Sequence, residues 1–449
     1  MEKCSIFLGV LMYRKIKAYI SDYLKSDTKK VLIIDGARQV GKSYIIREAG
    51  TELFENYIEI NLLEDSLNNR YFENTKTTSD FYLQLSMIAG DRLKEKNNTL
   101  IFLDEIQAYP YLLTLLKFLN QDNRFTYIAS GSLLGITLSQ TSSIPMGSID
   151  VKHMYPMDFE EFLYANNFNE TAIAALREKF IKRESLEENL HNNILTLFKK
   201  YLLSGGLPDA VKTFIETNNI ISVRDIQNQI HEYYGMDASK HDLEHKLKIK
   251  RIFDMIPSSL ENKKKRLIVQ DIENKKGKRF SNYQDEFDYL INAGIALEVK
   301  AVSNPVFPLD EHSGKNLLKL YLNDVGILSS ILYANNIRAV LDSEKSINLG
   351  TIYEAVVAQE LKAHGRSLFY YDNKAKGEVD YLINDYESLE ILPIEVKSGK
   401  DYYIHSVLDS FLQNKDYNIS RAIVLSNERN VCTDEKGITY LPVYFVMFL

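Results

Sequence analysis

Four apolar runs rich in β-branched residues stand in the first third of the chain: VLIID (31–35), YIEINL (57–62), TLIFLDE (99–105) and FTYIASGS (125–132). Helical patterns such as SYIIREAG and YLLTLLKFLNQ separate them. Strands alternating with helices predict βαβ units and a parallel sheet. Runs without polar interruption predict strands covered on both faces. From Asp158 the pattern turns helical: DFEEFLYANN and LHNNILTLFKKYLL space their apolar residues three and four apart. SGGLPDA (204–210) predicts a break in that run. A helix ending near Asn292, an Ala-Gly turn and a strand follow, in the outline of a winged helix-turn-helix. The last third predicts a helix from Gly350, then strands at 367–372, 379–384 and 391–397. A further helix and a strand at 422–427 follow.

These patterns predict an α/β, multidomain chain. They place a parallel-sheet core at residues 1–157, a helical lid at 158–239, a basic winged-helix-like region at 240–315 and a separate α/β domain at 316–449. A length of 449 residues fits several cores. The formal net charge of −7 excludes a polycation, so nucleic-acid contact needs a local patch. Residues 240–279 supply one: thirteen Lys or Arg against six Asp or Glu. Cys4 and Cys432 have no metal-ligand spacing and fit a reducing cytoplasm. The apolar run Ser5–Met12 is too short to span a bilayer and reads as a packed strand or helix turn, so no membrane partner is expected.

The chemistry starts at GARQVGKS, residues 36–43. Gly36, Ala37, Arg38, Gln39, Val40 and Gly41 make a glycine-bounded loop between a strand and a helix, where backbone N–H groups and a helix N-terminus face phosphate. Lys42 reaches the β- and γ-phosphates of ATP, and Ser43 suits Mg²⁺. TLIFLDE delivers Asp104 and Glu105 at its end. Asp104 suits the metal shell and Glu105 the base that activates water. Ser130 or Ser132 suits a contact to the γ-phosphate. Arg38 and Arg124 are candidates for an arginine finger. Near the C-terminus, residues two apart on a strand share a face, so Glu395 and Lys397 point together. A hairpin brings Asp380 beside them, and Glu354 on the preceding helix suits a fourth group.

GARQVGKS, LDEIQ, SGSL, YPMDFEEFL, YLLSGGLPDAV, KLYLNDVGIL, GEVDYLI and LPIEVKSG appear in this order. They resemble a large group of uncharacterised bacterial and archaeal ATP-binding proteins. The resemblance implies an AAA-type ATPase, a winged-helix-like middle and a restriction-endonuclease-like C-terminal domain. Glu354, Asp380, Glu395 and Lys397 resemble the PD-(D/E)XK nuclease pattern, with the carboxylates as metal ligands and the lysine orienting water. Val379 stands where that pattern has proline. The expected function is ATP hydrolysis coupled to action on DNA or RNA, through 240–279 and the C-terminal domain. The alternative is an ATP-switched docking protein. A homo-oligomer is compatible with the resemblance, since rings are common among AAA proteins.

Overall fold

The computed structural model describes residues 12–26, 28, 30–94, 98–135, 147–238, 246–262, 265–342, 348–373, 377–399 and 402–449. The run Ser5–Met12 and parts of the basic segment therefore lie largely outside the described residues. The chain divides into two compact units.

The first unit holds residues 14–155 with 292–294. Its elements run α1 (Lys15–Lys25), β1 (Val31–Asp35), α2 (Lys42–Leu53), β2 (Asn56–Asn61), α3 (Leu62–Leu67), α4 (Thr78–Ala89), β3 (Thr99–Asp104), α5 (Tyr111–Asp122), β4 (Thr126–Gly131) and β5 (Ile149–His153). The strands form a parallel sheet in the order β2-β3-β4-β1-β5. The expected parallel sheet is present; β5, whose IDVKH carries no apolar run, adds an edge strand. One face packs Ile33, Ile58, Ile101, Leu103 and Ala129 with Phe81, Leu85, Leu113 and Leu116 of α4 and α5. Leu32 and Ile34, which point the other way, are buried too. All strands run the same way, so the loops after β1, β3 and β4 meet at one sheet edge, where such folds hold ligands.

The second unit holds the described residues of 156–291 and 295–449. Helices come first: α6 (Phe159–Ala165), α7 (Glu170–Lys182), α8 (Glu188–Ser204), α9 (Pro208–Thr217), α10 (Ile220–Ala238), α11 (Lys246–Glu261), α12 (Val269–Glu273) and α13 (Gln284–Asn292). The break at SGGLPDA is real: α8 stops at Ser204 and Pro208 opens α9, where its missing N–H is harmless. There follow β6 (Ala296–Val302), β7 (Ser313–Leu322), α14 (Val325–Tyr333), α15 (Ile337–Leu341), α16 (Gly350–Ala363), β8 (Phe369–Asn373), β9 (Gly377–Asp385), β10 (Glu390–Val396), α17 (Ser406–Gln413), β11 (Ala422–Ser426), β12 (Cys432–Thr433) and β13 (Ile438–Pro442). The strands form one eight-stranded mixed sheet, β12-β13-β11-β10-β9-β8-β6-β7.

Here the structure departs from the expected middle region. The strand after α13 is no solvated wing. Five of the seven residues of β6 are buried, and it pairs in parallel with β8 and antiparallel with β7. The expected boundary at 315/316 falls inside β7. The order α16, antiparallel β8-β9-β10, α17, then β11 parallel to β10 matches the pattern expected for the last third.

Candidate functional sites

The phosphate loop follows β1, whose five residues are all buried. Gly36 has φ 143°, and a Cβ there would lie 2.2 Å from the Met154 carbonyl oxygen, so only glycine fits. Gly41 (φ 93°) caps α2, and Gln39 between them also has positive φ (64°). The loop therefore doubles back and presents the start of α2. Lys42 is the first residue of that helix. Its Nζ donates to the carbonyls of Gly36 (2.8 Å) and Ala37 (2.7 Å) within the loop. Burial pushes the Lys42 ammonium's pKa down, against the nearby Glu105, Asp35 and Asp104.

Ser43 Oγ donates to Asp104 Oδ2 at 2.7 Å, joining the loop to the end of β3. Ser130 on β4 donates to the other oxygen, Oδ1, which also accepts the Glu105 N–H at 3.0 Å. Burial raises the Asp104 pKa, while the Ser130 and Ser43 hydroxyls hold it down. A hydroxyl and a carboxylate oxygen side by side at a phosphate loop fit Mg²⁺, which takes few protein ligands and leaves room for water and phosphate.

Glu105 leaves the strand in the left-handed region (φ 54°), which swings its carboxylate off the strand direction. Gln107 Nε2 donates to Glu105 Oε2, and Ser132 Oγ donates to the same oxygen at 3.1 Å. Arg38 Nε donates to Ser132 Oγ at 3.3 Å. The two serines thus divide the acids, Ser130 serving Asp104 and Ser132 serving Glu105. Of the arginine candidates, Arg38 sits in this network. Arg124 stacks its guanidinium 4.4 Å from the Tyr82 ring centroid, as its place before β4 allows.

Further groups beyond the expected residues surround the site. Arg14 donates to the carbonyls of Val40 (2.8 Å) and Tyr155 (2.7 Å). Asp35 meets His153 Nδ1 at 3.0 Å. Gln107 lies inside the quoted LDEIQ stretch, two residues past Glu105, and that spacing was the available signal.

In the second unit the structure gathers Glu354 (α16), Asp380 (β9), Glu395 (β10) and Lys397. Lys397 Nζ meets Glu395 Oε1 at 2.7 Å, and Asp380 Oδ2 accepts the Val396 N–H at 2.8 Å. Lys265 pairs with Glu354 Oε1, and the Tyr321 hydroxyl donates to Glu354 Oε2 at 3.2 Å. Burial, then the charge of Asp380, pushes the Glu354 carboxyl up to about 7, with Lys265 and Lys319 opposing. The same two causes push Glu395 up to about 8, against Lys397. Burial lowers the Lys397 pKa, but Glu395, Asp380 and Glu354 together raise it above its ordinary value.

The expected metal set Glu354, Asp380 and Glu395 lies together, with the charge of Asp380 acting on both glutamates. Among the described residues no three His, Cys, Asp or Glu side chains are arranged to hold a metal ion. Glu354 and Glu395 each give an oxygen to a lysine, and Asp380 gives one to a backbone amide. The basic segment is also less free than its charge suggests. Lys265 is spent on Glu354, Arg266 pairs with Asp372, and Lys250 pairs with Asp254 at 2.6 Å. No described helix is long and apolar enough to cross a membrane.

Comparison with known proteins agrees with the first unit. Residues 28–163 match a family model described as an AAA domain. Residues 195–338 match a domain of unknown function, DUF8612, and 349–446 another, DUF4143. An uncharacterized protein of Methanocaldococcus jannaschii is 27% identical over 453 residues, covering 96% of this chain and 87% of that protein. Among solved structures, a Walker-type ATPase of Pyrococcus abyssi aligns at 13% identity and TM-score 0.45, over 71% of this chain and 95% of that one. The Aeropyrum pernix ORC1 protein in complex with DNA aligns at 13% identity and TM-score 0.34, over 74% and 94%. The Thermotoga maritima RuvB Holliday junction branch migration motor aligns at 14% and 0.30, over 64% and 89%. Residues 28–163 are thus similar to an AAA domain, and the regions that follow match domains of unknown function.

Proposed function

We propose that the chain binds ATP with Mg²⁺, hydrolyses it, and uses nucleotide state to switch its second unit as a regulatory or docking module. The observation that carries the ATPase reading is the meeting of Lys42, Ser43, Asp104 and Glu105 at one sheet edge. The loop N–H groups and Lys42 bind and orient the phosphates. Ser43 and Asp104 would hold Mg²⁺, which neutralises charge on the phosphate oxygens. Glu105 takes the proton of a water as its oxygen bonds to the γ-phosphorus. The bond from that phosphorus to the leaving oxygen of ADP breaks, and ADP keeps the electron pair. Phosphate release should vanish in Lys42→Ala, and normal release from that variant would overturn the reading.

For the second unit, docking draws on the ion pair of Lys265, a lysine outside the expected set, with buried Glu354. A second reading, cleavage of DNA or RNA, draws support from the convergence of Glu354, Asp380, Glu395 and Lys397 on a helix-and-hairpin scaffold. Titration with Mn²⁺ separates the two. Binding that is lost in Asp380→Ala, together with Mn²⁺-dependent cleavage, would replace the docking reading. No Asp380-dependent binding and no cleavage would retain it.

A further inference from the structure

Ser132 offers one hydroxyl proton and two lone pairs, and the structure uses all three. Arg38 Nε and Gln107 Nε2 donate to Ser132 Oγ at 3.3 and 3.2 Å, and the hydroxyl donates to Glu105 Oε2 at 3.1 Å. Gln107 Nε2 also donates to Glu105 Oε2 directly. Both donors fall on the same carboxylate oxygen. The other end of the Gln107 amide is fixed by shape. Its Oε1 is buried with no hydrogen-bond partner among the described residues, and a Cβ on residue 131 would lie 2.9 Å from it. Gly131, the last residue of β4, leaves the space the amide occupies. The left-handed turn at Glu105 brings its carboxylate back to this amide, only two residues along the chain.

We propose that Gln107 is a positioning residue for ATP hydrolysis: with Ser132 it pins Glu105 Oε2, leaving Oε1 to take the proton of the attacking water. Arg38 completes the frame from the phosphate loop. The inference rests on the ATPase reading and adds a residue to it. Gln107 touches neither nucleotide nor water in this role; it acts through Glu105.

The test is steady-state ATP hydrolysis by the full chain with Mg²⁺, read as kcat and KM separately, with nucleotide binding measured alongside. Lys42→Ala is the control. Gln107→Ala should lower kcat about 10- to 100-fold, the loss that misplacing a reacting group brings, while KM and ATP binding change less than about twofold. Gln107→Glu keeps the size and shape but turns the donor into an acceptor, so its kcat should fall at least as far. A role in packing alone predicts that Gln107→Glu keeps its rate. Unchanged kcat in either variant, or a loss confined to KM, overturns the inference. If the unaltered chain shows no turnover, or Lys42→Ala turns over normally, it is the ATPase reading that fails.

Discussion

Asp324 is the residue where the unexplained motifs of the second unit meet. It is fully buried. Its Oδ2 accepts the N–H of Gly206 at 2.6 Å and its Oδ1 accepts the N–H of Ile327 at 3.0 Å, capping α14. The fit is close, since a Cβ on Gly205 would lie 2.1 Å from Oδ1. Met157 N–H in turn donates to Gly206 O at 2.7 Å, so YPMDFEEFL, SGGLP and NDVGIL share one buried junction. Asp324→Asn keeps one acceptor for Ile327 but sets an NH₂ against the Gly206 N–H. One buried donor left unmet costs about 1–3 kcal/mol. The effect has a pH signature. Burial pushes the Asp324 carboxyl up to about 6 from 3.8, against the backbone N–H groups that hold it. A raised folded-state value gives stability that is full below the unfolded value and lost as pH rises through about 6. The advantage of the natural residue over asparagine should therefore grow by about 2 kcal/mol between pH 7.5 and 4.5, at 1.36 kcal/mol per unit. Amide hydrogen exchange of peptides 201–211 and 319–328 reads this locally, which suits a chain of two units better than a single melting curve. A gap that narrows on acidification, or unchanged protection at Gly206 and Ile327, would refute the reasoning.

Two further substitutions probe the sites. Gly36→Ala forces a Cβ to 2.2 Å from the Met154 carbonyl, so ATP affinity measured by fluorescent-analogue titration should fall at least about tenfold, or about 1.4 kcal/mol; unchanged affinity would show that the loop tolerates another path. Lys265→Met strips buried Glu354 of its ammonium partner. The loss should be roughly 3 kcal/mol at pH 8.5, as for one half of a buried pair. It should shrink toward pH 6, below the value of about 7 at which Glu354 takes up its proton. Hydrogen exchange across α16 at the two pH values checks both parts.

The phosphate loop and its acids are legible because their parts are local. GARQVGKS needs only the strand before it and the helix after it, and Asp104 and Glu105 sit at the end of an unbroken apolar run. The partners within the site were less legible. That Ser130 serves Asp104 while Ser132 serves Glu105 depends on the parallel register of β3 and β4, a long-range pairing. Gln107 needed the left-handed turn at Glu105 to come into reach. In the second unit the hairpin of Asp380 and Glu395 was read from alternation. The place of β6 was not, because its parallel partner β8 lies some seventy residues further along. A strand after a helix and a glycine turn looks like a wing until that partner is known. Lys265 belongs to the basic run 240–279, and only the fold sets it against a carboxylate of α16.

The central claim is that this chain binds ATP and that Glu105 activates the water that cleaves it. The most direct measurement is phosphate release beside nucleotide binding in the natural chain and in Glu105→Gln, which keeps the side-chain shape and removes the base. The account predicts that binding persists while turnover falls at least about 10²-fold, the contribution of a placed general base. Equal turnover in the two proteins would contradict it.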